Sequence, residues 1–394
     1  MAINVTVDTL LDRVKDIAPM LRAYAAEAEA QRRLARPVVD AMLQAGLYSM
    51  SHPKAFGGLE VDPLTMFRVV EAVAYQDSAA GWNMQMSVGA SCFLAWLPEE
   101  GAAEILTSHP TPIVAGTLFP GRQAIPVDGG YRLRGQWPFI TGSHDGHWFM
   151  CLPQIMDGDQ PRGNAQGRPV QRFMFLPAAQ ATILDTWHTL GMRGSGSHDV
   201  IVSDRFIPER HTAPLVPLEK PGTAYQGPLY RLTVWVPIAL LAPVALGIAR
   251  AAIDDLLTLA RTKTPTYMGA ALGQRQVVQR QVAEAEATLG AGRAYLYATF
   301  QENWDAAVQG AALTLERKLK MQLATSHAIV CAATAVDLAH AAAGTASIRN
   351  EFKFQQYFRD VHTITQHAFV SASRYESAGA LMLGEESDWG FFAF

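Results

Sequence analysis

The sequence predicts an α+β protein in three blocks: a helical N-terminal domain over residues 1–110, a central β-sandwich or small barrel over 111–217, and a C-terminal helical bundle over 218–394. Three observations carry this. Apolar residues recur at helical spacing in the first block, short β-rich runs alternate with turn residues in the second, and long Ala/Leu/Gln-rich stretches fill the third.

In the first block the helical period shows in "LLDRVKDIAPMLRAYAAEAEAQRRL" and "PVVDAMLQAGLYSM", and Gly/Pro punctuation breaks it at "SHPKAFGGLEVDP". The strand candidates are "YRLRGQWPFI", "HWFMCLP", "QRFMFLP" and "HDVIVSDRFIP", with turn signals "VDGG" and "MDGDQPRGN". A Pro/Gly-rich connector, "PLVPLEKPGTAYQGPLY", leads into the final helices. A chain of 394 residues with 49% hydrophobic content is too long for one core. Net charge is −4 without a basic run, which argues against nucleic acid. The start lacks a basic segment followed by a long apolar one, and no uninterrupted apolar run approaches a membrane span, so a cytoplasmic protein off the membrane is expected. Cys92, Cys151 and Cys331 are too scattered for a disulfide framework or zinc site, and His144 and His147 lack a third ligand, so no metal is expected.

The order of these blocks, together with five segments, resembles the acyl-CoA dehydrogenase superfamily over almost the whole chain. The segments are "RPVVDAMLQAGLYSMSHPKAFGGLEVDP", "VDGGYRLRGQWPFITGSHDGHWF", "LGMRGSGSHDVIVSDRFIPE", "ARTKTPTYMGAALGQRQVVQRQVAEAEATLGAGRAYL" and "FRDVHTITQH". The resemblance implies that the last block is a four-helix bundle. In the dehydrogenases a Tyr-Glu-Gly run follows an Arg-Asp pair, and its glutamate removes the substrate's α-proton. Counting from Arg359-Asp360 puts His367 at the tyrosine and Ala368 at the glutamate. Glu376 lies more than about 10 Å further on at helical rise. The pattern Arg-Asp then His instead resembles the flavin-dependent monooxygenase branch, the oxygenase components of two-component aromatic and heterocycle hydroxylases. There His367 is implied to sit on a helix facing the flavin. An imidazole titrating near neutrality suits a proton acceptor or a partner for the distal oxygen of a flavin hydroperoxide.

The same resemblance implies that Thr141 bonds the flavin N5 edge, Phe139 covers the ring and Gly142 lets the backbone approach. Ordinary strand core is the alternative for Phe139. The glycines of "GMRGSGSHDV" do not match a dinucleotide fingerprint, so no pyridine nucleotide is expected. By resemblance Arg193, Ser195 and Ser197 lie near the flavin or substrate entrance, with a solvated turn as the alternative. Arg261 is placed at the flavin phosphate of a neighbouring subunit. Met84, Met86, Ser91, Phe93 and Trp96 are the candidate walls of the substrate pocket, with plain helix core as their alternative. Many hydroxylases of this branch carry a second histidine here, and the register puts Ala90 in its place.

The implied activity uses reduced flavin from a separate reductase, FMNH2 preferred over FADH2, and O2, through a C4a-hydroperoxide, to oxygenate a small aromatic or heterocyclic substrate. A dehydrogenase with a relocated base and a non-catalytic flavin-binding relative remain as alternatives. The Ala-rich C-terminal helices carry more apolar surface than one bundle hides, and family members are tetramers, so a homotetramer is expected, with the terminal "EESDWGFFAF" packed on a partner.

Overall fold

The computed structural model describes residues 5–120, 122–165, 167–215, 221–266 and 269–394. The expected boundary at 217 lies outside them.

The N-terminal helices are α1 (Val7–Gln31), α2 (Arg36–Gln44), α3 (Pro63–Gln76), α4 (Ser78–Cys92) and α5 (Glu99–Thr107). Their starts follow from short polar caps. Thr6 accepts from the Thr9 N–H at 3.3 Å, Asp62 from Thr65 at 3.0 Å with Pro63 in the first helical position, and Asp77 from Ala80 at 2.7 Å. Within α4, only Met86 is not fully buried. The helix packs against α3 on one side and meets both of the other blocks on the rest of its circumference.

The central strands are β1 (Val114–Gly116), β2 (Gln123–Val127), β3 (Gly130–Ile140), β4 (Trp148–Cys151), β5 (Gln154–Asp157), β6 (Gln160–Pro161), β7 (Arg172–Pro177), β8 (Thr182–Leu184), β9 (His198–Pro208) and β10 (Thr212–Pro214). They form two sheets, in the orders β1-β4-β7-β10 and β6-β5-β2-β3-β9-β8. Phe149, Cys151, Met174 and Leu176 of the first pack against Leu133, Trp137, Val200 and Val202 of the second, making a sandwich. The long antiparallel pair β3/β9 slips register between Trp137 and Ile140. That irregularity re-aims the end of β3.

Beyond Pro228 the chain is helical: α6 (Pro228–Arg231), α7 (Trp235–Ala239), α8 (Leu241–Thr262), α9 (Gln276–Val308), α10 (Leu315–Ala343), α11 (Phe354–Thr365) and α12 (Ser373–Met382). Helices α8 to α11 form the four-helix bundle. The segments Trp235–Thr262 and Leu315–Ile348 are long and apolar enough to span a membrane by length and composition, contrary to the sequence reading. The apolar window of the first is 89% buried inside the fold, which makes it a core helix.

The terminal aromatic segment folds back on its own chain: Phe392 is buried against Trp235 at 5.6 Å between ring centres, and its carbonyl accepts from Lys318 Nζ at 3.1 Å. Phe369, Arg374 and Trp235 of the same chain contact its rings, and Trp389, Phe391 and Phe394 stay half-buried.

Candidate active site

Three elements converge where the sandwich meets α4. At the end of β3, Phe139 adopts a left-handed backbone (φ 63°), and Thr141 and Gly142 follow in a turn. Before β9, Arg193–Ser195 make a single 3₁₀ turn, and Gly196 (φ 57°) reverses the chain into Ser197. The turns are stitched together: Gly142 N–H donates to the Ser195 carbonyl at 3.0 Å, and Ser143 Oγ to the Gly196 carbonyl at 3.0 Å. Asn83 of α4 donates to the same Ser195 carbonyl at 3.2 Å. Glycine is required at 142, since a Cβ there would lie 2.6 Å from Asn83 Oδ1.

The result is a buried row of hydroxyls. Thr141 Oγ1 shares a hydrogen bond of 2.8 Å with Ser197 Oγ, which shares another of 2.8 Å with Ser195 Oγ. Trp82 Nε1 donates to Thr141 Oγ1 at 3.3 Å. The edge of the Trp82 ring faces His367, with ring centres 5.7 Å apart. Thr141, Trp82 and His367 therefore form one continuous wall.

His367 is not on a helix. Helix α11 ends at Thr365, and the histidine sits half-buried in the following turn. Its Nδ1 accepts from the Phe369 N–H at 3.3 Å, so the neutral ring carries its proton on Nε2. Burial pushes its pKa down to about 4, rather than the near-neutral titration expected from sequence. At neutral pH it is an uncharged N–H donor. Ala368, at the dehydrogenase base position, is exposed in this turn, and Glu376 is exposed on α12.

The Arg359-Asp360 pair stays outside the wall and braces it. Asp360 Oδ1 accepts from the Met192 N–H at 2.6 Å, and Oδ2 accepts from Ser78 Oγ. Arg359 donates to the Leu190 carbonyl at 2.7 Å and to Glu29 at 2.5 Å. A Cβ at Gly191 would lie 2.2 Å from the Arg359 carbonyl oxygen, so loop and helix touch backbone to backbone. Burial lifts the Asp360 carboxyl to about 6.

The pocket candidates divide. Trp82, Met86 and Phe93 are spaced to share one face of α4, and Met86 is the residue that face leaves partly open. Met84 and Ser91, two and nine residues from Trp82, fall roughly 160–180° around the helix. Both are removed from that wall: Met84 is fully buried core, and Ser91 Oγ bonds His52 Nε2 at 3.1 Å. Phe93 packs on Phe173 at 4.8 Å, and Trp96 lines a separate cavity of about 330 Å³ with Arg172 and Thr212. Arg261 is exposed near the end of α8. His144 and His147 diverge, the first edge-on to His198 and the second stacked on His109.

A flavin fits these residues. Phe139 is 55% exposed, held in a conformation uncommon for an aromatic residue, beside Trp187 at 6.2 Å. Among the described residues no acceptor meets the buried Nε of half-buried Arg193, leaving a donor for a ligand acceptor. Between them lies the hydroxyl row.

Residues 8–109 match the family model of the acyl-CoA dehydrogenase N-terminal domain and 239–372 that of its C-terminal domain. An indole-3-acetate monooxygenase from Pseudomonas putida is 33% identical over 380 residues, covering 96% of this chain and 93% of that protein. The chain belongs to the acyl-CoA dehydrogenase family. Within it, the oxygenase component of an FADH(2)-dependent resorcinol hydroxylase from Rhizobium sp. is 26% identical, covering 96% and 94% of the two chains. The structure of XiaF from Streptomyces sp. in complex with FADH2 and glycerol superposes with a TM-score of 0.88 at 26% identity, covering 97% of each chain. A flavin-dependent monooxygenase oxygenase subunit, HsaA of Mycobacterium tuberculosis, is 24% identical over 91% of each chain, and the chain sits on that monooxygenase branch of the family.

Sequence reasoning passed over Trp82, Asn83, Ser78 and the bracing role of Asp360. Trp82 had a signal, since it lies four residues before Met86 on one helical face. The other three contacts cross between distant segments and leave no local trace.

Proposed function

We infer that the protein is the oxygenase component of a two-component monooxygenase, taking reduced flavin from a separate reductase and O2 to oxygenate a small aromatic or heterocyclic substrate. The observation that carries this is the wall of Thr141, Trp82 and His367, set against a dehydrogenase-base position occupied by exposed Ala368. Reduced flavin, when bound, would supply the two electrons that activate O2, and O2 the oxygen atom transferred. The chain supplies position, protons and dryness.

Thr141 Oγ1 accepts from Trp82 and shares with Ser197 a hydrogen bond that either hydroxyl can donate, so it is able to donate to or accept from a flavin ring nitrogen by rotating its O–H. Neutral His367 offers Nε2–H beside Trp82, where it holds an oxygen atom without adding charge to an apolar site. Buried Trp82 and Phe93 keep water from that oxygen. Phe139, Gly142, Arg193, Ser195 and Ser197 form the flavin cradle. Alanine at position 90 disfavours a phenol reader and, with the 33% identical relative, makes an indole acid the first substrate to try. A relative and a solved structure named with FADH2 make FAD the first flavin to try, beside FMN. A homotetramer in the cytoplasm, with Arg261 reaching a neighbour's flavin, completes the reading; α9 exposes Ala283, Ala287, Gly290, Ala291 and Ala294, and the apolar window of α10 is only 56% buried in one chain.

The test is anaerobic titration of tryptophan fluorescence with reduced FAD and FMN, followed by mixing with ¹⁸O₂ and a panel of indole acids, phenols and thiophenes. Product carrying one ¹⁸O is expected. A protein that purifies yellow and bleaches with an acyl-CoA, forming no labelled product, refutes the reading.

A further inference from the structure

His367 lies past the last turn of α11, so the helix ladder does not hold its ring, and the restraint comes from elsewhere. Its nearest anchor is Phe369, which gives its N–H to Nδ1 at 3.3 Å and packs its ring 5.2 Å from the imidazole. Phe369 is in turn held from two directions. Gln322 of α10 donates to its carbonyl at 2.9 Å, and the rings of Trp389 and Phe391 pack on its ring at 5.3 and 5.0 Å. Trp389 is itself clamped beneath the Arg374 guanidinium at 3.9 Å, and its neighbour Asp388 accepts from Ser377 Oγ at 2.7 Å. An unbroken line of contacts thus runs from α12 through the terminal aromatic segment to the Nδ1 atom of the histidine.

We propose that the segment Trp389–Phe394 is a positioning element of the oxygenation site. By fixing Phe369 it keeps the Phe369 N–H on Nδ1 of His367, which holds the ring in its Nε2–H tautomer and turns that proton toward Trp82. The proposal rests on the reading of His367 as the oxygen-facing donor, but the tautomer is a property of the chain itself and is measurable without flavin or turnover.

The experiment is ¹⁵N NMR of the full-length protein labelled at histidine, with the His367 signals assigned by their loss in His367→Gln. Wild type and Trp389→Phe, which keeps a ring on Phe369, should show one tautomer with Nδ1 unprotonated. Trp389→Ala should show both tautomers in exchange. Product per reduced flavin consumed should fall by about 10-fold or more, as for a small misplacement of a reacting group, with substrate KM little changed. Should circular dichroism show that Trp389→Ala does not fold, Phe391→Ala removes the other ring on Phe369 and is held to the same result. An unchanged single tautomer in either folded variant overturns the proposal. Absence of ¹⁸O transfer by a wild-type protein that shows the expected tautomer counts against the functional reading instead.

Discussion

Replacing Thr141 by valine keeps the shape of a side chain that is only 5% exposed and removes one hydroxyl from the centre of the wall. The structure indicates who suffers. Ser197 still has Ser195 at 2.8 Å, so it remains paired, whereas Trp82 Nε1 loses the acceptor that it has at 3.3 Å. A buried donor left unsatisfied costs about 1–3 kcal/mol, and the bond lost to Ser197 adds about 1 kcal/mol. Valine's better burial offsets part, so a destabilisation of about 2 kcal/mol is expected. Loss of one hydrogen bond to the flavin should also raise the Kd for reduced flavin roughly fivefold. Thr141→Ser, which keeps the hydroxyl, should approach wild type in both. The assays are thermal unfolding and anaerobic fluorescence titration. A double variant with Trp82→Phe should cost about 1 kcal/mol less than the sum of the singles, because the orphaned indole N–H is gone. Wild-type flavin affinity in Thr141→Val, or equal damage in Thr141→Ser, would refute the hydroxyl argument.

Asp360→Ala strands the Met192 N–H and the Ser78 hydroxyl in a buried site, so the serine turn should loosen, with roughly 10-fold weaker flavin binding and faster proteolysis within residues 186–196 as the measurements. His367→Ala should leave flavin affinity nearly intact and lower product per reduced flavin by about 10²-fold, as for a positioned proton donor; coupled turnover at the wild-type level would remove His367 from the mechanism. His52 and His367 are both held by burial at about 4, below the ordinary value of 6.5, so each favours the fold fully above pH 6.5 and loses that contribution as pH falls toward 4. The slope is up to about 1.4 kcal/mol per pH unit per group, and His52→Gln should flatten the acid side of a plot of melting temperature against pH. If the proposed tetramer uses the exposed small-residue face of α9, Ala291→Arg should shift sedimentation from that tetramer to smaller species while leaving the fold intact.

The block order was legible because periodicity and turn chemistry are local. Helical spacing, turn residues and alternating strands announce themselves within a dozen residues, whereas Thr141, Ser195 and Ser197 were singled out by the resemblance of their motifs to the family. Counting from Arg359 singled out His367 but gave it a helix that stops two residues earlier. Nothing in "TITQHAF" announces that stop, since none of these residues breaks a helix, and the turn is set by its packing. The substrate wall failed for a related reason: apolar residues on α4 were read as one set, although a helix buried on nearly every side is apolar all round, and only its neighbours show which face opens on a site.

By itself, then, the sequence determined the helix–β–helix order, which is a matter of residue type and local spacing. The candidates for holding a flavin, and the missing carboxylate where a dehydrogenase keeps its base, came from the resemblance of its motifs to the family. The tertiary structure alone decided that Trp82 links Thr141 to His367, that Asp360 ties the serine turn to the bundle across 168 residues of chain, and that the terminal aromatic rings pack behind the histidine. The physical reason is that a hydrogen bond or ring contact between distant segments depends on where packing brings them, and burial, which sets the pKa of His367 and Asp360, belongs to the folded environment and not to the residue.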